Sequence, residues 1–111
     1  MTPRAIVVAH REGMIAEGIA AALRQYPDIV TVAVATTAAE TDRRSERADA
    51  VALDALLPGA ELTARRLRRR GVRVVFLGDG GEEDAGVSIS TRSSVESLAS
   101  ALVPGATTRP V

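Results

Sequence analysis

The chain has 111 residues, of which 46% are hydrophobic and 25% charged, and its 14 acidic residues balance its 14 basic residues. This length allows one domain with a small core, and a net charge of zero gives no general attraction to nucleic acid or to membranes. The chain has no cysteine and no lysine, which excludes disulfides, thiolate metal sites, cysteine nucleophiles and any mechanism that needs an ammonium group.

The first half of the chain alternates short apolar runs with stretches of helical periodicity. Residues 4–9 read RAIVVA, a continuous apolar run typical of a strand that is covered on both faces. Apolar residues then recur at helical spacing over 14–26, and Pro27 ends this helix. A second strand is predicted at 29–34. The segment 36–47 is polar almost all round, which favours a weak helix or a loop.

The second half continues the same alternation. It predicts, in order, a strand at 50–53, a helix at 61–70, a strand at 72–77, a loop at 78–86, a short strand at 87–90 and a helix at 93–103. Leu62 and Leu67 are expected to point inward from the first of these helices. In the second helix the inward residues are Val95, Leu98 and Leu102, and Ser93 and Glu96 have the spacing of a capping box. We expect one domain at 1–103, followed by a linker or disordered tail at 104–111.

Strands that alternate with helices predict an α/β fold, with a mostly parallel five-stranded sheet and helices on both faces. In such sheets, ligands and chemistry lie beyond the carboxyl ends of the strands. This rule places His10, Arg11 and Asp54 on one rim. No apolar run is long enough to span a bilayer and no signal peptide is present, so we predict a cytoplasmic protein without membrane contact. The chain uses arginine and no lysine, a composition that favours an origin in a GC-rich bacterial genome, such as an actinobacterial one.

Two segments resemble response-regulator receiver domains. VALDALLPG at 51–59 is similar to the phosphoacceptor strand and loop of receivers, in which an aspartate ends the third strand and Pro-Gly follows. VVAHREGMIAEGIAAAL at 7–23 resembles the first strand and helix of receivers of the NarL/LuxR type, including the Glu-Gly pair of that helix. The resemblance extends over about residues 4–103. It implies a flavodoxin-like (CheY-like), doubly wound fold with Asp54 at the phosphoacceptor position.

The other functional positions of a receiver have different chemistry in this chain. Receivers hold Mg²⁺ with an acidic pair after the first strand, and the matching residues here are His10 and Arg11. The hydroxyl residue after the fourth strand is matched by Gly78, and the lysine after the fifth strand by Thr91. Only Asp54 is retained. Phosphoryl transfer depends on positioning and on charge neutralisation by a metal and cations, so we predict a pseudo-receiver without catalytic residues, metal or cofactor. In this pseudo-receiver Arg11 forms an ion pair with Asp54.

The connection between the fourth and fifth strands is short. Only about nine residues, 78–86, lie between them, whereas a parallel crossover usually needs a dozen or more and includes a helix. The helix between these strands is therefore predicted to be shortened or missing. We expect the fifth strand and last helix either to pack differently, for example antiparallel, or to be exchanged with a second chain.

These patterns predict a phosphorylation-independent, receiver-like signalling domain that acts through protein association. It forms a homodimer or docks onto another regulatory protein, and it is part of, or derived from, a transcriptional response regulator. Contact with DNA would then require an output domain that this chain does not contain. The altered rim is also a candidate site for a small-molecule ligand.

Other functions remain as alternatives. The first is binding of a polyanion or nucleic acid by the arginine-rich segment 61–73, which contains Arg65, Arg66, Arg68, Arg69, Arg70 and Arg73. Another is an intact receiver whose Asp54 is phosphorylated by a kinase that supplies its own chemistry. An enzyme is the least favoured, because the single histidine has only Asp54 as a plausible catalytic partner.

Overall fold

Strands and helices alternate along the chain, as the sequence predicts. The computed structural model describes residues 4–78, 87–89 and 95–103, with side chains described up to residue 78 and from residue 97. The strands are β1 (Arg4–Ala9), β2 (Ile29–Ala35), β3 (Ala50–Asp54), β4 (Arg73–Leu77) and β5 (Val87–Ile89). The helices are α1 (Gly13–Leu23), α2 (Ala38–Arg44), α3 (Ala60–Arg69) and α4 (Val95–Leu102).

The strands form one parallel sheet in the order β2-β1-β3-β4-β5. This confirms the predicted α/β class and the doubly wound, flavodoxin-like topology. The predicted elements agree with the observed ones to within a few residues, and the polar segment 36–47 contains the short helix α2. The proposed tail at 104–111 lies outside the described residues.

The expectation for β5 needs correction. This strand is parallel to β4, with Val75 opposite Val87 and Leu77 opposite Ile89, so it is not antiparallel. Its exchange with a second chain stays a prediction. Helix α4 also packs within the same chain, because Leu98 and Leu102 are buried in a core that includes Val75. A parallel position beside β4 gives the backbone groups of that strand partners on both sides. The connection at 79–86, where we predicted a shortened or missing helix, lies outside the described residues.

The sheet separates two apolar cores. On one face, Ile6, Val8 and Val75 pack with residues of α1 and α4. On the other face, Val51 and Phe76 pack with residues of α3 and its flanking loops. Consecutive residues of a strand point to opposite faces, so the continuous apolar runs of β1, β3 and β4 are explained by a sheet that is buried on both sides. Within the part of the chain that the structure describes, no helix has the length and apolarity needed to cross a membrane.

Two helices bury faces made largely of small residues. Helix α1 buries Ala16, Ala20 and Leu23 and leaves Met14 exposed. Helix α3 buries Ala60, Thr63, Ala64 and Leu67, whose spacing defines one stripe. Leu62 lies outside this stripe and is 54% exposed, so its expected inward position is wrong, whereas that of Leu67 is correct. In α4, Leu98 and Leu102 point inward as predicted. The side chain of Val95 and the capping box of Ser93 and Glu96 lie outside the described part.

A capping box begins helix α2. The Thr37 hydroxyl accepts a hydrogen bond from the Glu40 N–H at 3.1 Å, and the Glu40 carboxylate accepts one from the Thr36 N–H at 2.8 Å. The first bond satisfies a backbone donor that a helix start leaves unpaired, and the second ties the Glu40 side chain to the residue before the N-cap. They explain how a segment without a strong apolar stripe holds a helix.

Replacing Thr37 by alanine should lower the free energy of unfolding by about 1 kcal/mol, because the Glu40 N–H loses its acceptor. Urea denaturation followed by circular dichroism measures this loss. Thr36→Ala is the matched control, since only the backbone of Thr36 takes part in the capping box. A similar loss in both variants would contradict a specific role for the Thr37 hydroxyl.

Strand β2 lies at one edge of the sheet, with β1 on its inner side. The His10 N–H donates to the carbonyl of Ala35, so the backbone of Ala35 faces β1. Backbone direction alternates along a strand, which turns the carbonyl of Val32 away from the sheet. This carbonyl accepts a hydrogen bond of 3.1 Å from the guanidinium of Arg24, at the end of α1.

Candidate functional site

The candidate site lies where β1, β3 and β4 end. Ala9 pairs with Leu53, and Asp54 pairs with Leu77, so His10, Asp54 and Gly78 come together at one rim of the sheet. The Ala55 N–H donates to the Leu77 carbonyl at 3.0 Å and continues the ladder one residue beyond Asp54. The parallel order therefore brings together residues that are far apart in the sequence.

The carboxylate of Asp54 is buried and bonded on both oxygens. The residue is 3% exposed. Its Oδ1 accepts a hydrogen bond from the Leu56 N–H at 3.0 Å, and its Oδ2 accepts one from the Arg11 N–H at 3.2 Å. The bond to Leu56 is the local turn that an aspartate forms with the backbone two residues ahead. A buried carboxylate needs such donors, because burial removes its contacts with water.

The guanidinium of Arg11 lies against the same carboxylate. Its Nε is 3.7 Å from Asp54 Oδ2, and the arginine side chain is 45% exposed while that of Asp54 is 5% exposed. Arg11 thus presents both its backbone N–H and its positive charge to one oxygen of Asp54. Sequence reasoning predicts the charge contact, but it does not identify the two backbone donors.

The imidazole of His10 is also close to Asp54 but is not hydrogen-bonded to it. His10 Nδ1 lies 3.7 Å from Asp54 Oδ2 and accepts a hydrogen bond of 3.0 Å from the Glu12 N–H. Because Nδ1 acts as an acceptor, the proton of the neutral ring is on Nε2. The ring therefore holds the loop between β1 and α1.

These residues do not fit the magnesium ion that the receiver resemblance implies. A magnesium site needs several oxygen ligands, and here one carboxylate is next to a guanidinium and an imidazole. Among the described residues, no three His, Asp or Glu side chains lie together as metal ligands. The rim has the chemistry of an ion pair with additional backbone donors.

The structure describes one of the two remaining receiver positions. Gly78 follows β4 with a positive φ of 105°, a backbone conformation that favours glycine, and it offers no hydroxyl. Thr91, which matches the receiver lysine, lies outside the described residues.

The arginine-rich segment is partly used inside the molecule. Arg66 forms an ion pair of 2.9 Å with Asp42 of α2, and Arg70 donates to the Ser45 carbonyl at 3.2 Å. Arg73 donates from its Nε to the Ala101 carbonyl of α4. Arg66, Arg70 and Arg73 thus join elements of the fold, which leaves a smaller basic surface than the sequence indicates.

Comparison with known proteins finds similar structures but no similar sequences among family models or curated proteins. The receiver domain of the response regulator NarL from Mycobacterium tuberculosis superposes with a TM-score of 0.80 at 19% identity, covering 96% of this chain and 98% of that one. A response regulator from Burkholderia pseudomallei, whose structure carries a phosphorylated aspartic acid, has a TM-score of 0.73 at 19% identity, with coverage of 93% and 68%.

A third similar structure is a longer protein. The response regulator ChrA, from a heme-sensing two-component system, has a TM-score of 0.74 at 20% identity over 93% of this chain. This chain spans only 56% of the length of ChrA. Together with the strand order and the position of Asp54 at the end of β3, these superpositions establish that the chain has the CheY-like fold of response-regulator receiver domains.

Proposed function

We propose that this chain is a non-enzymatic, receiver-like signalling domain of the cytoplasm that acts without phosphorylation of Asp54. The contacts of the Asp54 carboxylate carry the proposal. Both of its oxygens accept backbone hydrogen bonds, and the Arg11 guanidinium occupies the side on which a receiver needs metal ligands. At 4 Å and an effective dielectric constant of 20, two unit charges attract by about 4 kcal/mol before the cost of desolvation. Such a pair stabilises one arrangement of the rim in the absence of phosphate.

The first test is an NMR titration of the amide signals with Mg²⁺ and then with beryllofluoride, a mimic of the phosphoryl group. We expect no shifts centred on Asp54 and Gly78, because the residues at the rim supply neither metal ligands nor a hydroxyl. Signals from residues around Thr91 are followed in the same spectra. Shifts that saturate around Asp54 would contradict the proposal and would indicate an intact receiver that needs a kinase.

The second part of the proposal is that signalling occurs by protein association, either with a second copy or with another regulatory protein. Large apolar side chains on the surface support it, since Met14 is 90% exposed and Leu56 is 62% exposed. Exposed apolar side chains such as these are available for contact with a partner protein.

Light scattering at several protein concentrations tests self-association. We expect the mean mass to rise above that of one chain as concentration increases. A strict monomer at all concentrations would contradict the homodimer and would leave docking onto a different protein as the form of association.

A further inference from the structure

A groove lies beside the start of α3, next to the loop that follows Asp54. We call it the α3 groove. Its volume is about 430 Å³, and its lining includes Ala55, Leu57, Ala60 and Leu62 together with Glu61 and Arg65. Leu57 is buried, whereas Leu62 stands 54% exposed at the edge of the groove. The lining therefore combines apolar side chains with one acidic and one basic side chain.

The charge around the α3 groove is mainly positive. Arg65 and Arg69 are four residues apart on α3, so they lie on the same side of the helix. Both are exposed, and neither has a hydrogen bond or ion pair with any residue that the structure describes. Arg66 and Arg70, by contrast, are bonded to α2 and to the segment that follows it. Glu61 is the single acidic residue of α3.

Nucleic acid is a poor match for this surface. Single-stranded nucleic acids are held by aromatic side chains on which bases stack. The chain has one tyrosine and one phenylalanine and no tryptophan, and both Tyr26 and Phe76 are buried in the two cores. Duplex binding relies on many phosphate contacts, whereas Arg65 and Arg69 supply only two charges at this groove. The exposed Leu62 side chain, next to two arginines that have no partner among the described residues, is complementary to a peptide that carries both leucine-like and acidic side chains.

We propose that the α3 groove binds an acidic, leucine-containing segment of a partner protein. An apolar side chain of this segment enters the groove against Leu57 and Leu62, and its carboxylates face Arg65 and Arg69. The inference rests on the proposed function in protein association and names the class of partner. The inference does not depend on the contacts of Asp54 at the rim.

Selection from a phage-displayed library of random dodecapeptides against the full chain tests this inference. We expect the enriched peptides to be acidic and to contain leucine or a similar apolar residue. Synthetic versions should shift the amide signals of Ala55, Leu57 and Leu62 in NMR spectra. Enriched peptides without net negative charge, no enrichment at all, or shifts on another surface would each overturn the inference.

Variants separate specific docking from general attraction between charges. The double variant R65E/R69E and the single variant L62S should each weaken binding of the selected peptide by roughly tenfold or more. The matched control is R43E/R47E, which reverses two exposed arginines with the same spacing on and after α2, outside the lining of the groove. It should change the affinity by no more than about twofold, since solvent and salt screen exposed charges that do not contact the peptide. Equal losses in both double variants, or tighter binding of a DNA duplex than of any peptide, would contradict the inference.

The peptide experiment and the beryllofluoride titration can fail independently. If beryllofluoride causes no shifts and no peptide binds, only the inference about the α3 groove is overturned. The proposed function then stands, and protein association would use another surface. A response to beryllofluoride together with peptide binding overturns phosphorylation independence and keeps the groove.

Discussion

Substitution of His10 and Arg11 by aspartate is expected to make the stability of the domain depend on Mg²⁺. The pairing of Ala9 with Leu53 places both substituted residues beside Asp54. Three carboxylates at one rim form the kind of oxygen site that a divalent cation prefers. Without metal, these like charges repel and Asp54 loses its guanidinium partner, so the melting temperature should fall below that of the wild-type protein.

Added Mg²⁺ should reverse this loss in the H10D/R11D variant. A ligand that binds only the folded state at 100 times its dissociation constant stabilises that state by about 2.7 kcal/mol. Thermal denaturation followed by circular dichroism, in EDTA and in millimolar Mg²⁺, measures the difference. The wild-type protein should melt at the same temperature in both buffers.

The matched control for the aspartate variant is H10N/R11N, which removes the same imidazole and guanidinium without adding carboxylates. We expect it to melt independently of Mg²⁺. The account of the rim would be wrong if the wild-type protein gained stability from Mg²⁺, or if a folded H10D/R11D variant gained none.

Leu67→Ala is expected to cause the largest loss of stability on α3. Leu67 is fully buried against the sheet with Phe76 and Val74 in the same core. Removal of a buried leucine side chain costs about 2–5 kcal/mol, against a total stability of roughly 5–15 kcal/mol for a typical domain. Urea denaturation gives the loss directly.

Leu62→Ala on the same helix is the matched control for Leu67→Ala. Its side chain is 54% exposed, and an exposed substitution usually changes stability by no more than about 0.5 kcal/mol. Similar losses of stability in the two variants would mean that the Leu62 side chain is covered in solution, contrary to its exposed position beside the α3 groove.

The sequence predicts the fold class well because the strands are short and continuously apolar. Residues 4–9 contain no polar alternation, which indicates a strand buried on both faces and hence a parallel sheet. At β5 the short connection led to the expectation of different packing, for example antiparallel, whereas this strand is a parallel neighbour of β4. The pairing of Val75 with Val87 is a contact between distant parts of the chain, and no local pattern specifies it.

The orientation of α3 shows a second limit of sequence reasoning. The hydrophobicity of Leu62 and Leu67 led to the expectation that both point inward, but the helix buries Ala60, Thr63 and Ala64 with Leu67. Small residues allow the helix to lie close to the sheet, and hydrophobicity alone gives them too little weight.

The sequence predicted which side chains meet at the candidate site, but not which backbone groups bind Asp54. The order of the strands brings His10 and Asp54 to one rim, and that much follows from parallel topology. The N–H groups that bind Asp54 belong to Arg11 and Leu56, and a backbone donor has no residue-specific signature. The turn residues Pro58 and Gly59 indicate a tight loop after Asp54, without specifying which amide it presents.

The hydrogen bond from Arg24 to Val32 has a consequence for the behaviour of the protein at high concentration. An edge strand with the sequence IVTVAVA is a ready template for strands of other molecules, which add to it and build aggregates. At Val32 the outward carbonyl is already bonded, and the charged guanidinium stands where an incoming strand would have to lie. We therefore expect Arg24, a residue outside the rim and both cores, to hinder the addition of further strands to this edge of the folded domain.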